Sequence, residues 1–273
     1  MPATSSEDLQ IKLHKEGQVE YTYKQPAYEH LPRCPVRACF VAPSGSSKTT
    51  TLQDVVCRLY DGCWEMIYVV SPSIHLDSAW NPIKAYVRTK LKIEDESIWC
   101  RDWWDQEWLQ DIYDTQTAII KEMKKQKLKR LYGICVCLDD IADLKVCHGS
   151  HSDTSILPLL AMRGRHSGIS WFCLVQKWTA LAPAVRTQLQ CLLLWRLRNK
   201  KELDLILDEL SALYPKHVLM KFFEISTSES YSFMYVDLTA KQKENMFYKG
   251  FHTRLTVKDK EDGAVTEPSA PDR

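Results

Sequence analysis

Residues 36–50 read VRACFVAPSGSSKTT. The apolar run behind Pro35 predicts a short strand over 36–41, and the residues that follow predict a helix over 49–60. Between them lies a turn rich in small residues that ends in Lys48-Thr49. A strand, a tight turn and a helix start can curl successive backbone N–H groups around a phosphate, and the helix N-terminus adds positive potential. Ala42, Pro43, Ser44, Gly45, Ser46, Ser47, Lys48, Thr49 and Thr50 are therefore candidate nucleotide-binding residues. Lys48 would reach the β- and γ-phosphates of ATP, and the Thr49 hydroxyl would hold Mg²⁺. The spacing is that of the Walker A pattern G-x-x-x-x-G-K-[ST], but both motif glycines are replaced, by Ala42 and Ser47, and only Gly45 remains. A Cβ at either position restricts φ and crowds the phosphates. Alone, the stretch suits a plain strand–turn–helix with a surface lysine equally well.

Working outward, apolar runs alternate with helical patterns. Strands are expected over 66–70, 132–138, 169–175 and 192–197, with a late strand over 231–238. A long amphipathic helix is expected over 106–130 and another helix over 201–213. Runs apolar on both faces, alternating with helices, predict an α/β fold with a parallel sheet covered on both sides. In such sheets ligands bind beyond the carboxyl ends of the strands. The run 132–138 closes on Asp139-Asp140. A strand ending on adjacent carboxylates is the Walker B arrangement, so Asp139 is assigned to Mg²⁺ and Asp140 to the attacking water, with Asp143 as a weaker alternative. By itself a strand leaving the core into a polar turn explains the pair better; together with Lys48-Thr49 after an earlier strand, the Walker B reading prevails. ISWFCLV at 169–175 ends on Gln176, placed to sense the γ-phosphate and the water. Arg163 and Arg165 precede that strand and Arg186 follows it; Arg165 is the leading candidate for a cation supplied to a γ-phosphate, often from a neighbouring subunit.

Composition excludes little. A net charge of +1 makes any nucleic-acid contact local. The best-defined cationic run is Lys121, Lys124, Lys125, Lys127, Lys129 and Arg130, which as a helix C-terminus is more simply a solvated end. Trp99, Trp103, Trp104 and Trp108 crowd one segment, for which core packing or a subunit interface outweighs stacking on bases. The ten cysteines include no CxxC pair, several stand in apolar runs, and reduced thiols suit an intracellular protein. Cys147, His148 and His151 offer soft ligands but no second cluster completes a tetrahedral site. No signal peptide or membrane span is expected. The chain divides into an N-terminal arm at 1–30, a domain at 31–256, and a charged tail at 257–273 expected to be disordered.

Taken together, the loop APSGSSKTT, the strand IYVVSPS, VCLDDIAD, the stretch LLAMRGRHSGISWFCLVQ and the closing YSFMYVDL resemble the DNA-packaging ATPases of poxviruses and other nucleocytoplasmic large DNA viruses, within the FtsK/HerA superfamily. The resemblance implies a RecA-like P-loop NTPase sheet with an additional strand between the two Walker strands. It implies a homo-oligomeric ring, usually hexameric, that uses ATP and Mg²⁺ to pump double-stranded DNA into a capsid through a capsid or portal partner, at a viral assembly site in host cytoplasm or nucleus. It carries Lys48, Thr49, Asp139, Asp140 and Gln176 over by motif position. Ala42 and Ser47 depart from it and keep a second reading open, a catalytically weakened remnant acting in assembly. A small-molecule kinase would need an arginine-rich lid, and no compact lid segment is visible.

Overall fold

The computed structural model describes residues 19–140 and 156–257, together with the backbone of Val265–Thr266. In chain order the elements are β1 (Arg37–Val41), α1 (Lys48–Asp54), β2 (Met66–Val70), α2 (Asn81–Thr89), α3 (Glu96–Trp99), β3 (Cys100–Arg101), α4 (Gln106–Lys125), β4 (Ile134–Asp139) and α5 (Ile156–Arg163). They continue with β5 (Ile169–Val175), α6 (Pro183–Arg186), β6 (Cys191–Trp195), α7 (Lys200–Glu209), α8 (Lys216–Ser226), β7 (Phe233–Asp237), β8 (Phe247–Lys249) and β9 (Thr253–Arg254). A separate two-stranded ladder pairs β10 (Thr256–Val257), at the end of the expected domain, with β11 (Val265–Thr266) of the expected tail.

Nine strands form one sheet in the order β3-β2-β4-β5-β1-β6-β7-β8-β9. The pairings from β3 through β6 are parallel, and those that add β7, β8 and β9 are antiparallel. The sheet is thus mostly parallel, with an antiparallel flank that periodicity alone does not orient. β5 lies between β1 and β4 and is the additional strand.

Strand alternation builds two cores. Cys39 and Val41 of β1, Val136 and Leu138 of β4, and Trp171, Cys173 and Val175 of β5 face one side, under α4, α5, α7 and α8. Phe40, Cys135, Cys137, Phe172 and Leu174 face the other, under α1 and α2. Every residue of β4 and β5 is buried, so these strands read as continuous apolar runs rather than as an alternation.

Three helices end earlier than periodicity predicts, α7 among them, which stops at Glu209 rather than at 213. Helix α1 ends at Asp54 and passes into a π-helical turn, Val55–Leu59, where the Tyr60 N–H reaches the Val55 carbonyl at 2.9 Å. Helix α4 stops at Lys125, not Arg130. Lys127 is left-handed at φ +57, and the Leu128 N–H closes on the Met123 carbonyl at 3.0 Å, a helix-ending turn. The chain then extends, and Arg130 bridges Thr22 of the N-terminal segment. The basic run therefore stands where α4 meets the start of β4, at the end of the sheet away from the carboxyl ends of the parallel strands. Trp99 is buried in the core under α1 and α2, Trp104 and Trp108 pack against the opposite core, and Trp103 is exposed. Among the described residues no helix is long and apolar enough to cross a membrane.

Candidate functional site

The loop behind β1 supplies one wall of a cleft. The Ala42 N–H continues the ladder to the Val175 carbonyl at 3.1 Å, and Ala42 is fully buried. Ala42 is absent from the positive-φ residues, whereas Ser47 is left-handed at φ +64. The replacement that places a Cβ against backbone preference is therefore Ser47, which caps α1 without a side-chain hydrogen bond. Lys48 begins that helix and is buried, its Nζ donating to the Ala42 carbonyl at 2.9 Å and to that of Pro43 at 3.4 Å. Burial pulls its pKa down, and Asp140 and Asp139 partly counter it.

The opposite wall comes from β4 and β5. Asp139 is 5% exposed and accepts from the Ser71 hydroxyl at 3.0 Å. Burial pushes its carboxyl up to about 6, with Asp140 reinforcing the rise and the Ser71 hydrogen bond and Lys48 opposing it. Asp140 is left-handed at φ +52, its N–H held by the Leu174 carbonyl at 3.2 Å. That turn aims its carboxylate at Gln176, whose Nε2 donates to Asp140 Oδ1 at 2.8 Å. The segment after Gln176 is anchored by buried Glu202, which accepts the Thr179 N–H at 3.0 Å and its hydroxyl at 2.6 Å.

The cleft encloses about 450 Å³. Ser44 to Thr50, Asp139, Asp140 and Gln176 line it, so these sequence-predicted residues meet in one place. Ala42 and Pro43 lie behind it, as acceptors for Lys48. Arg163, Arg165 and Arg186 are not among its lining residues. Arg165 precedes the start of β5 and contacts His166 at 3.3 Å, a strand's length from Gln176 at the other end. Arg186 pairs with Glu209 at 2.9 Å and sits over the Trp178 ring. Asp143 and the Cys147, His148, His151 group lie outside the described residues.

A family model described as Poxvirus A32 protein matches residues 23–238. The chain belongs to that family. No curated protein sequence matches it. Two solved structures resemble this A32 family member. One is the genome packaging NTPase B204 from Sulfolobus turreted icosahedral virus 2 in complex with AMP. It has 15% identity, covers 76% of this chain and 95% of that chain, and gives a TM-score of 0.50. The other is the monomer form of the pCW3 conjugation coupling protein TcpA with ATPγS. It has 13% identity, covers 76% of this chain and 58% of that chain, and gives a TM-score of 0.51. At these identities what is shared is the fold, a P-loop NTPase sheet flanked by helices.

Sequence reasoning missed Ser71, Ser73, Asp77, Ala79 and Tyr231, all of which line or support the cleft. Ser71 follows β2 and meets Asp139 because β2 pairs with β4, an adjacency that a linear pattern does not show. Ser73 ties Ser71 to the indole N–H of Trp80. Tyr231 precedes its strand, and the rule that sites follow strands overlooks it. β7 is antiparallel, so its beginning lies beside the carboxyl ends of the others.

Proposed function

We propose that this A32 family member is an ATP-hydrolysing motor that moves double-stranded DNA during packaging of a viral genome. The observation that carries the reading is the convergence of Lys48, Asp139, Asp140 and Gln176 on one 450 Å³ cleft at the carboxyl ends of β1, β4 and β5. The family match supports it, as does the shared fold with a protein described as a genome packaging NTPase.

In this reading the N–H groups of residues 44–49 cradle the phosphates. Lys48 exchanges the Ala42 and Pro43 carbonyls for β- and γ-phosphate oxygens. Thr49 and Asp139 are the residues that would hold Mg²⁺. A hydroxyl and a carboxylate are the hard oxygen donors magnesium takes, and Asp139 is buried with its charge incompletely matched, which a divalent cation completes. The ion would neutralise charge developing on the phosphoryl oxygens. Asp140 accepts a proton from the attacking water, and Gln176, already bonded to Asp140, reports whether γ-phosphate and water are present. Arg165, remote from its own cleft, acts on that of an adjacent copy in a ring.

The test is Mg²⁺-dependent ATP hydrolysis by purified protein with and without duplex DNA. Stimulation by DNA, with loss of about 10²-fold or more in Lys48→Ala, is the expected result. Hydrolysis indifferent to DNA would overturn the motor. One observation, the left-handed Ser47 beside Lys48, favours a second reading, an assembly protein with residual nucleotide binding. Turnover at ordinary motor rates would dismiss it.

A further inference from the structure

Past Gly45, Ser46 and Tyr231 the phosphate cleft opens into a second hollow of about 350 Å³, bounded on its far side by Trp195, Arg196 and the 227–232 turn. We propose that this hollow takes the nucleoside end of the nucleotide, with the Tyr231 ring stacked on a purine base. The inference deepens the nucleotide-binding reading above and rests on it.

Connectivity comes first. The crest of the phosphate loop, Gly45 and Ser46, borders both hollows. A nucleotide whose terminal phosphates lie between Lys48 and Asp139 has its ribose and base at one end of the chain of phosphates, and the second hollow continues the cleft across that crest. Its volume lies within the roughly 300–1,000 Å³ usual for small-ligand sites.

The backbone at Tyr231 is the second observation. A bulky residue at φ +64 is unusual and persists where surrounding contacts impose it. Here the Tyr231 carbonyl accepts the Trp195 indole N–H at 3.1 Å. On its other side the Ser232 hydroxyl donates to the Glu229 carbonyl at 2.7 Å. These bonds fix the backbone that presents Tyr231, a residue 66% exposed, at the junction of the two hollows. Burial explains nothing about such a ring, whereas a flat apolar ligand face would cover it.

Chemical lining agrees. Ser230 lines the hollow with a hydroxyl that can donate or accept, while Ser228 and Ser232, whose protons go to the Ile225 and Glu229 carbonyls, keep acceptor capacity for ribose and base edges. Arg196 places a cation beside the path of a polyanion. Glu229 sends its charge to Lys249 at 2.7 Å, so the anion in this hollow is matched.

The experiment is calorimetric titration, in magnesium buffer, of the full chain with ATP and with inorganic tripolyphosphate, comparing wild type, Tyr231→Ala and Tyr231→Phe. Base–aromatic stacking of about 1–3 kcal/mol predicts a loss of roughly 5- to 150-fold in ATP affinity for Tyr231→Ala. Tripolyphosphate affinity is unchanged, and Tyr231→Phe stays close to wild type. Equal ATP affinity in wild type and Tyr231→Ala overturns the inference and leaves the phosphate cleft standing. Should Tyr231→Ala not fold, the wild-type comparison decides, because equal affinity for ATP and tripolyphosphate also overturns a nucleoside subsite. Binding of neither ligand by wild type sinks the phosphate reading itself, and this one with it.

Discussion

Replacing Ser47 by glycine should make the protein more stable, although glycine usually weakens a helix start. Ser47 holds φ +64 and ψ +26. A residue with a Cβ in that region costs about 1–2 kcal/mol. Glycine removes the cost, and its freer unfolded chain offsets about 0.5–1 kcal/mol of the gain. The net is a stabilisation of about 0.5–1 kcal/mol, or roughly 1–3 °C in Tm for a chain of this size. The Ser47 side chain makes no capping hydrogen bond that the change would remove. Two companion variants isolate the cause. Ser47→Ala keeps the Cβ and should melt within a few tenths of a kcal/mol of wild type. Gly45→Ala reverses the logic, since Gly45 sits at φ +77 with no heavy atom within 4 Å of an added Cβ; only backbone preference acts there, and the loss should be about 1 kcal/mol. Calorimetric melts without nucleotide provide the readout. If Ser47→Gly and Ser47→Ala shift Tm equally, the strain argument fails. ATP turnover should rise in Ser47→Gly, because the N–H preceding Lys48 then reaches its geometry without cost.

Other expectations follow from individual groups. Asp139→Asn should stabilise the protein in the absence of divalent cations while abolishing turnover. The Asp139 carboxyl is raised from 3.8 to about 6, so its ionised form opposes folding. That penalty is absent below pH 3.8, grows as pH rises to about 6, and stays constant above, reaching on the order of 3 kcal/mol. Denaturant melts should show the variant's advantage at pH 7 and none near pH 3.5; an advantage independent of pH would refute this. Gly168→Ala should cost about 3 kcal/mol or more, because Gly168 is at φ +70 and its Cβ would meet Tyr23 Cε1 at 2.6 Å and the Tyr132 carbonyl at 2.8 Å. A soluble variant with wild-type Tm would contradict it. Glu202→Ala leaves the Thr179 N–H without its acceptor and should cost about 1–3 kcal/mol. Hydrogen exchange should accelerate at 176–179, and exchange unchanged there would remove Glu202 as the anchor of that segment.

Much of the parallel sheet was legible because β4 and β5 are buried on both faces and so read as unbroken apolar runs. The walls of the cleft were legible for a related reason. Asp139 closes β4, Asp140 and Gln176 follow β4 and β5, and Lys48 ends the loop after β1; the carboxyl ends of parallel strands share an edge. What escaped depends on pairing. Nothing local tells β7 to run antiparallel, and with that direction goes the placement of Tyr231. Ser71 joins Asp139 only through the neighbouring strand. The short α2 and α3 carry too few turns to print a clear period, and α4 ends early because Lys127 adopts a left-handed conformation that a lysine does not advertise. The departures at Ala42 and Ser47 looked equivalent as letters, yet only Ser47 has a positive φ.

The strand wedged between β1 and β4 has a mechanical corollary. Its seven residues span about 23 Å, with Gln176 at one tip and Arg163 to His166 leading into the other. Trp171 and Cys173 serve one core, Phe172 and Leu174 the opposite one. A slip of one residue would exchange those faces, so the ladders to β1 and β4 hold the strand in a single register and keep its two ends a fixed distance apart.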